Sequence, residues 1–317
     1  MVASLTNVAA EQQWQFDATT LPRARKERGH FGTSPAIADF MAAMFTRIPS
    51  GAARILDPGA GVGTLSAALC QRILRQETPR TLYFELWEND RQLEPRLRGT
   101  METCRRALRD SGHQMDFVIR TDDFVLENAQ PSLFRPEPTE LFDLVIMNPP
   151  YFKLRKDSQI VRAMEHVVHG QPNIYALFMA VAAELLTDGA ELVAITPRSY
   201  FNGPYFKRFR KWFFDRVTAR QIHLFESRAA AFREDEVLQE NVILLAEKSG
   251  RPHDVVLTSS QGRTFDQVRR QSLPYRSVIE NDSGDHLVRV ATNELERQIV
   301  EAVDSLPHRF RDLPFKI

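Results

Sequence analysis

From residue 53 to about residue 247, short β-branched or apolar runs alternate with helix-like stretches, the pattern of a mostly parallel sheet wrapped by helices. Parallel neighbours need a crossover of a dozen or more residues between them, and the helix-like stretches supply it. Candidate strands are Ala53 to Asp57, Thr81 to Glu88, Met115 to Arg120, Leu141 to Met147, Ala190 to Thr196, Arg220 to Glu226 and Asn241 to Glu247. Seven strands predict an α/β, doubly wound sheet. The last two are joined by SRAAAFREDEVLQE, polar and broken, so the final strand is expected to insert antiparallel as a hairpin partner.

Ser34 and Pro35 form an N-cap and first-turn pair before AIADFMAAMF, and Gly189 reads as the stop after NIYALFMAVAAELLTD. After Gly250 the alternation fades, leaving a few short strands and one helix, ATNELERQIVEAVDSL. The 317 residues, 43% hydrophobic, suffice for one large core or two modest ones. The expected division is 1–250 as the main domain and 251–317 as a C-terminal extension.

Basic and acidic residues balance at 41 each, which excludes affinity for nucleic acid through overall charge but leaves local basic clusters. Arg23 to Arg28, Lys153 to Lys156 and Lys207 to Lys211 are such clusters. No run approaches the roughly 18 apolar residues of a membrane span, and the N-terminus has neither a basic leader nor an apolar core, so a cytoplasmic protein is expected. Cys70 and Cys104 read as core packing, and His166 and His169, without a third ligand nearby, as surface residues rather than a metal site.

Four constellations carry chemistry. In the first, Asp57-Pro58-Gly59-Ala60-Gly61-Val62-Gly63 ends a strand in an acid and turns through three glycines into a helix. Glycines let the backbone turn sharply and approach a ligand closely. The spacing is not the GxGxxG of dinucleotide sites, and the acid suits a cationic ligand, the amino group of S-adenosylmethionine; a structural turn or an NAD site is the competing reading. Second, Glu88 ends the next strand, where a carboxylate can accept both hydroxyls of a ribose. Third, Asp122-Asp123-Phe124 follows the third strand: Asp123 can accept from an adenine amino group while Phe124 stacks on the base, although acidic pairs in loops are as often helix caps. Fourth, Asn148-Pro149-Pro150-Tyr151 follows FDLVIM. An asparagine oxygen and the Pro149 carbonyl can accept both hydrogens of a planar amino group, the prolines fix that carbonyl, and Tyr151 offers a stacking face. Such a site works by positioning and dipoles rather than by a general base.

At these residues the sequence resembles the amino-group DNA methyltransferases, in particular the gamma class of adenine-N6 enzymes of restriction-modification systems. That class orders its motifs as a cofactor-capping segment, here Gly29 to Pro35, the glycine loop, Asp57 to Gly63, and then NPPY, Asn148 to Tyr151. The resemblance covers roughly residues 25 to 250 and implies a methyltransferase sheet of Rossmann-like kind, S-adenosylmethionine as cofactor, and duplex DNA with a flipped adenine as substrate. It also implies that Thr33 contacts the methionine end of the cofactor and that Phe232 sandwiches the flipped base opposite Tyr151. Pro197 to Phe201 looks like the family's segment after the fifth strand. Relatives continue into a target-recognition domain, so recognition here is expected from a separate specificity subunit or a missing C-terminal domain. Because NPPY serves any planar amino or amide nitrogen, an RNA base or a protein glutamine is the alternative substrate, and a catalytically incomplete methylase fragment the alternative state.

Overall fold

In the computed structural model, which describes residues 4–19, 32–129, 141–170, 172–225, 241–262, 265–281, 284–291 and 294–306, every one of the seven expected runs is a strand. They are β1 (Gly51–Pro58), β2 (Arg80–Trp87), β3 (Gln114–Arg120), β4 (Phe142–Met147), β5 (Leu186–Pro197), β6 (Val217–Phe225) and β7 (Asn241–Lys248). The sheet is larger than expected: β8 (Val255–Ser260) and β9 (Arg269–Leu273) extend it to nine strands in the order β3-β2-β1-β4-β5-β7-β6-β8-β9. β7 lies antiparallel between β5 and β6, as the polar, broken sequence before it predicts.

Short strands were expected after Gly250, but not as members of this sheet, and the physical reason lies in their side chains. β8 is buried yet ends in Thr258, Ser259 and Ser260, whose polarity masks a strand in a sequence reading. Two of those hydroxyls are satisfied by fully buried His223 of β6, Thr258 Oγ1 at 3.0 Å from Nδ1 and Ser260 Oγ at 3.1 Å from Nε2. Burial pushes the imidazole down to about 4, so it is neutral and serves the pair as one donor and one acceptor. β9, RRQSL, is a polar edge strand of the kind that discourages pairing with another chain.

Helices cover both faces. One core joins α1 (Leu5–Thr19), α2 (Pro35–Met44), α3 (Thr64–Ile73) and α4 (Glu94–Asp110) to the sheet. The other joins α5 (Phe124–Asn128), α6 (Gln159–Ala163), α7 (Ile174–Glu184) and α8 (Lys207–Phe214). Ser34 caps α2, its Oγ accepting from Ile37 N at 3.5 Å, with Pro35 in the first turn. Gly189 is not a helix stop: α7 ends at Glu184, and Gly189, at φ +76°, lies inside β5 beside the irregularity in its pairing with β4. Helix α1 has no counterpart in the sequence reading, because its buried Leu5, Ala9 and Phe16 are too sparse among glutamines to mark a period.

Beyond β9 the chain forms α9 (Tyr275–Val278), a short antiparallel pair of β10 (Ile279–Glu280) and β11 (Leu287–Val288), and α10 (Glu294–Asp304). Buried Arg210 of α8 ties this segment down, donating to the carbonyls of Asp285, Tyr200 and Gly203. Among the described residues no helix is long and apolar enough to cross a membrane. The chain leaves β1 toward β2 and β3 on one side and returns to β4 on the other, so a crevice opens at the carboxyl ends of β1 and β4.

Candidate active site

The start of the glycine loop is fixed by backbone. Gly59 N and Ala60 N both donate to Trp87 O, at 2.8 and 2.9 Å, pinning the turn to the end of β2. Gly59, Gly61 and Gly63 all have positive φ, +79°, +58° and +84°, which side-chain-bearing residues avoid. Gly63 is doubly restricted, since a Cβ there would lie 2.9 Å from Leu97 Cδ1 of α4.

Glu88 follows β2 and closes the loop from the other side. Gly61 N donates to its Oε2 at 2.9 Å and Asp90 N to its Oε1 at 2.8 Å. Burial pushes this carboxyl above the usual carboxylate range, and the two backbone amides pull it part of the way back. Each oxygen has a further lone pair for a ligand hydroxyl, and Glu88 lines the cavity at the carboxyl ends of β1, β2 and β4.

That cavity is walled by Thr33, Gly59, Ala60, Gly61, Glu88, Asp123, Phe124, Asn148 and Pro150 of the expected residues. Asp57, Pro58, Gly63, Pro149 and Tyr151 stand behind the wall rather than in it. Asp57 in particular is fully buried: Ser66 Oγ of α3 donates to its Oδ2 at 2.6 Å, and Oδ1 has no hydrogen-bond partner among the described residues. Burial pushes its carboxyl up to about 7. This acid braces the loop from beneath, in place of the expected contact with a cationic ligand. The cavity also has walls that sequence reasoning missed: Gln13 and Phe16 from α1, Val62, Trp87, Leu93, Asp122, Phe152 and Phe178. Only the adjacency of Val62, Trp87 and Asp122 to the motifs gave a signal for them.

Asp123 has a structural task as well: its Oδ1 accepts from Leu126 N at 2.9 Å and caps α5. Phe124, with its ring 5.5 Å from Trp87 and 5.1 Å from Phe178, gives this end of the cavity an aromatic lining suited to a nucleobase.

At the end of β4, Asn148 is held by side chains. Its Nδ2 donates to Thr33 Oγ1 at 3.0 Å, and its Oδ1 accepts from the Tyr151 hydroxyl at 2.5 Å. The same hydroxyl lies 2.9 Å from the carbonyl of Ile195 in β5, and the ring stands edge-on to Tyr175 at 6.3 Å. Burial drives the Tyr151 hydroxyl far above its ordinary titration range, so it stays a donor. Capping segment and NPPY turn thus meet on one amide, and the Tyr151 hydroxyl links it to β5. Phe232 lies outside the described residues.

Residues 76–232 match the Eco57I restriction-modification methylase family. The chain is 32% identical over 302 residues to the type II methyltransferase M.BsuBI of Bacillus subtilis, covering 94% of this chain and 59% of that protein. It is 31% identical over 295 residues to the type II methyltransferase M.PstI of Providencia stuartii, covering 92% of this chain and 57% of the relative. The chain therefore spans somewhat over half the length of these relatives. In fold it is similar to a class I S-adenosylmethionine-dependent methyltransferase from Listeria monocytogenes, with a TM-score of 0.54 at 16% identity over 74% of this chain and 68% of that one. The solved structure shares the fold, and by the methylase domain and the two type II relatives the chain belongs to the restriction-modification methylases.

Proposed function

We propose that the chain methylates the exocyclic N6 of adenine in duplex DNA, as the modifying enzyme of a restriction-modification system. The observation that carries the reading is the amide of Asn148, fixed between Thr33 and Tyr151 at the edge of the cavity. Bound S-adenosylmethionine supplies an electrophilic methyl group on a sulfonium. Glu88 holds the ribose hydroxyls with the lone pairs left by Gly61 and Asp90, and Asp122, Asp123 and Phe124 face the adenine of the cofactor. Thr33 and the Gly59 to Gly61 turn close on the methionine end.

Asn148 Oδ1 and the Pro149 carbonyl accept the two hydrogens of the target amino group. This draws the nitrogen lone pair out of conjugation and aims it at the methyl carbon, so positioning and oriented dipoles carry catalysis. The cofactor, held by Glu88 and the Gly59 to Gly61 turn, would supply the sulfonium methyl to this nitrogen and be left as the neutral thioether, and one amino proton would leave to solvent. The target adenine is out of the helix, with Tyr151 and Phe232 as the expected stacking pair. Flipping costs a few kcal/mol and each stacking ring recovers roughly 1 to 3 kcal/mol, so both are needed.

The reading has a second element: site recognition comes from a region or a separate specificity subunit outside these residues. In that reading residues 1–250 are the catalytic domain, β8 and β9 of the 251–317 extension complete its sheet, and the recognition region begins beyond β9. The chain alone then binds DNA weakly, with steep salt dependence and little site preference, because only its basic clusters meet phosphate.

Transfer of tritiated methyl from S-adenosylmethionine to DNA, RNA and protein, run in parallel, tests the substrate class. Label on adenine in DNA is the expected outcome, and label on RNA or glutamine instead would overturn it. Mapping methyladenine on plasmid then separates scattered modification, expected of this chain alone, from modification confined to one short sequence, which would place recognition within it.

A further inference from the structure

We infer that Gln13, on α1, is a cofactor-binding residue that receives the α-ammonium of the methionine moiety. This rests on S-adenosylmethionine occupying the cavity. The methionine end is the end at Thr33 and Asn148, where the methyl group must face the target nitrogen. Gln13 stands there: a Cβ built on Gly32, next to Thr33, would meet Gln13 Cγ and Cδ at 3.2 Å and Oε1 at 3.5 Å. Gln13 also lines the cavity itself.

Its amide is oriented. Nε2 donates to Asp17 Oδ1 one helical turn on, at 2.9 Å, which leaves Oε1 as the acceptor turned from Asp17. An ammonium needs acceptors, and the acid expected to provide one, Asp57, is buried beneath the glycine loop and bonded to Ser66. The Gln13 oxygen, backed by the negative charge of Asp17, fills that role from the opposite wall. The helix that carries it is anchored at both ends. Leu5 N donates to Gln71 Oε1 of α3 at 2.9 Å, and Phe16 is buried against Val62 of the glycine loop and Leu93. α1 therefore bridges the glycine loop and the capping segment, and it lies outside the span of the matched methylase family.

Calorimetric titration of the full chain with three probes tests this: S-adenosylhomocysteine, its analogue lacking the α-amino group, and 5′-methylthioadenosine, which lacks the whole amino-acid portion. Gln13→Leu should weaken S-adenosylhomocysteine about tenfold and leave 5′-methylthioadenosine within twofold. It should cost nothing further against the deaminated analogue. Asp17→Asn, which keeps an acceptor for Gln13 Nε2 and removes the negative charge behind it, should show the same selectivity at roughly threefold. Equal weakening of all three probes, or an undiminished loss against the deaminated analogue, overturns the assignment of Gln13. Failure of the unsubstituted chain to bind any of the probes would instead remove the cofactor site itself, and the inference with it.

Discussion

At the ends of β1 and β2 the groups that face the cavity are set by backbone: Gly59 and Ala60 amides hang on Trp87 O, and Glu88 is gripped by the amides of Gly61 and Asp90. At the end of β4 the group that faces the target is one side-chain amide, aimed by two other side chains from distant parts of the chain, Thr33 and Tyr151. Backbone-built sites depend on turn conformation and tolerate changes in neighbouring side chains. Side-chain networks lose their geometry with a single atom. Cofactor binding and methyl transfer should therefore be separable by point substitution.

The largest effect is expected at Asn148. Asn148→Ala removes an acceptor that acts on charge developing in the transition state, a class of contact worth about 10²- to 10³-fold in rate. Cofactor affinity should stay within about tenfold, or roughly 1.4 kcal/mol. Single-turnover transfer and calorimetry on the same preparation decide it, and a collapse of both together would show that the two sides are one network.

Asp57 comes next and bears on stability. Its carboxyl titrates near 7 in the folded chain because burial disfavours the charged form, against about 3.9 in an unfolded one. Between those values the folded chain holds a proton that the unfolded chain has released. The stabilisation is therefore complete below about pH 4 and is lost as pH rises through about 7. Asp57→Asn cannot ionise, so its stability relative to the parent should improve from pH 5 to pH 8, by a few kcal/mol at most. Urea melts at both pH values measure the gap; parallel behaviour would mean that Asp57 is charged when buried. Cofactor affinity should hardly change, since Asp57 is not in the cavity wall.

The same contrast explains what was legible in the sequence. Strand-end glycines and acids are local signals, so the loop, Glu88, Asp123 and the NPPY turn were found, as was the antiparallel β7 from the polar, broken sequence before it. Local signals do not report where a side chain points. Asp57 and Glu88 occupy equivalent positions by motif, yet one is bonded to Ser66 beneath the loop and the other faces the cavity. Contributions from far along the chain were invisible for a related reason. Gln13 and Phe16 reach the cavity from a helix with too few apolar residues to declare itself, and β8 hides its burial behind hydroxyls paired to His223.

Glu88 tests the backbone-built side directly. Glu88→Ala leaves Gly61 N and Asp90 N without their acceptor and a ribose pair unmade, so cofactor binding should weaken by about 1 to 3 kcal/mol. At saturating cofactor the transfer rate should recover to within a few-fold. A persistent rate defect would tie this carboxylate to the chemistry and weaken the contrast.

The smallest and most discriminating change is Tyr151→Phe. The Tyr151 hydroxyl has one hydrogen and two acceptors within reach, Asn148 Oδ1 and Ile195 O. A carbonyl oxygen has two lone pairs, so Asn148 can accept from Tyr151 and from a target amino group at once, with the first bond setting the direction of the second. Removing the hydroxyl takes one constraint off the amide, leaves its bond to Thr33, and keeps the ring that would stack on an extruded base. One orienting hydrogen bond is worth about 0.5 to 1.5 kcal/mol, so transfer should slow by roughly 2- to 10-fold with cofactor affinity unchanged. Tyr151→Ala also loses the stacking face, a further 1 to 3 kcal/mol or so, and that extra loss should shrink on DNA with a mismatched or abasic partner, where flipping costs less. The phenylalanine variant should show no such rescue. If it is rescued as fully as the alanine variant, the hydroxyl serves the base rather than Asn148, and the amide is aimed from the Thr33 side.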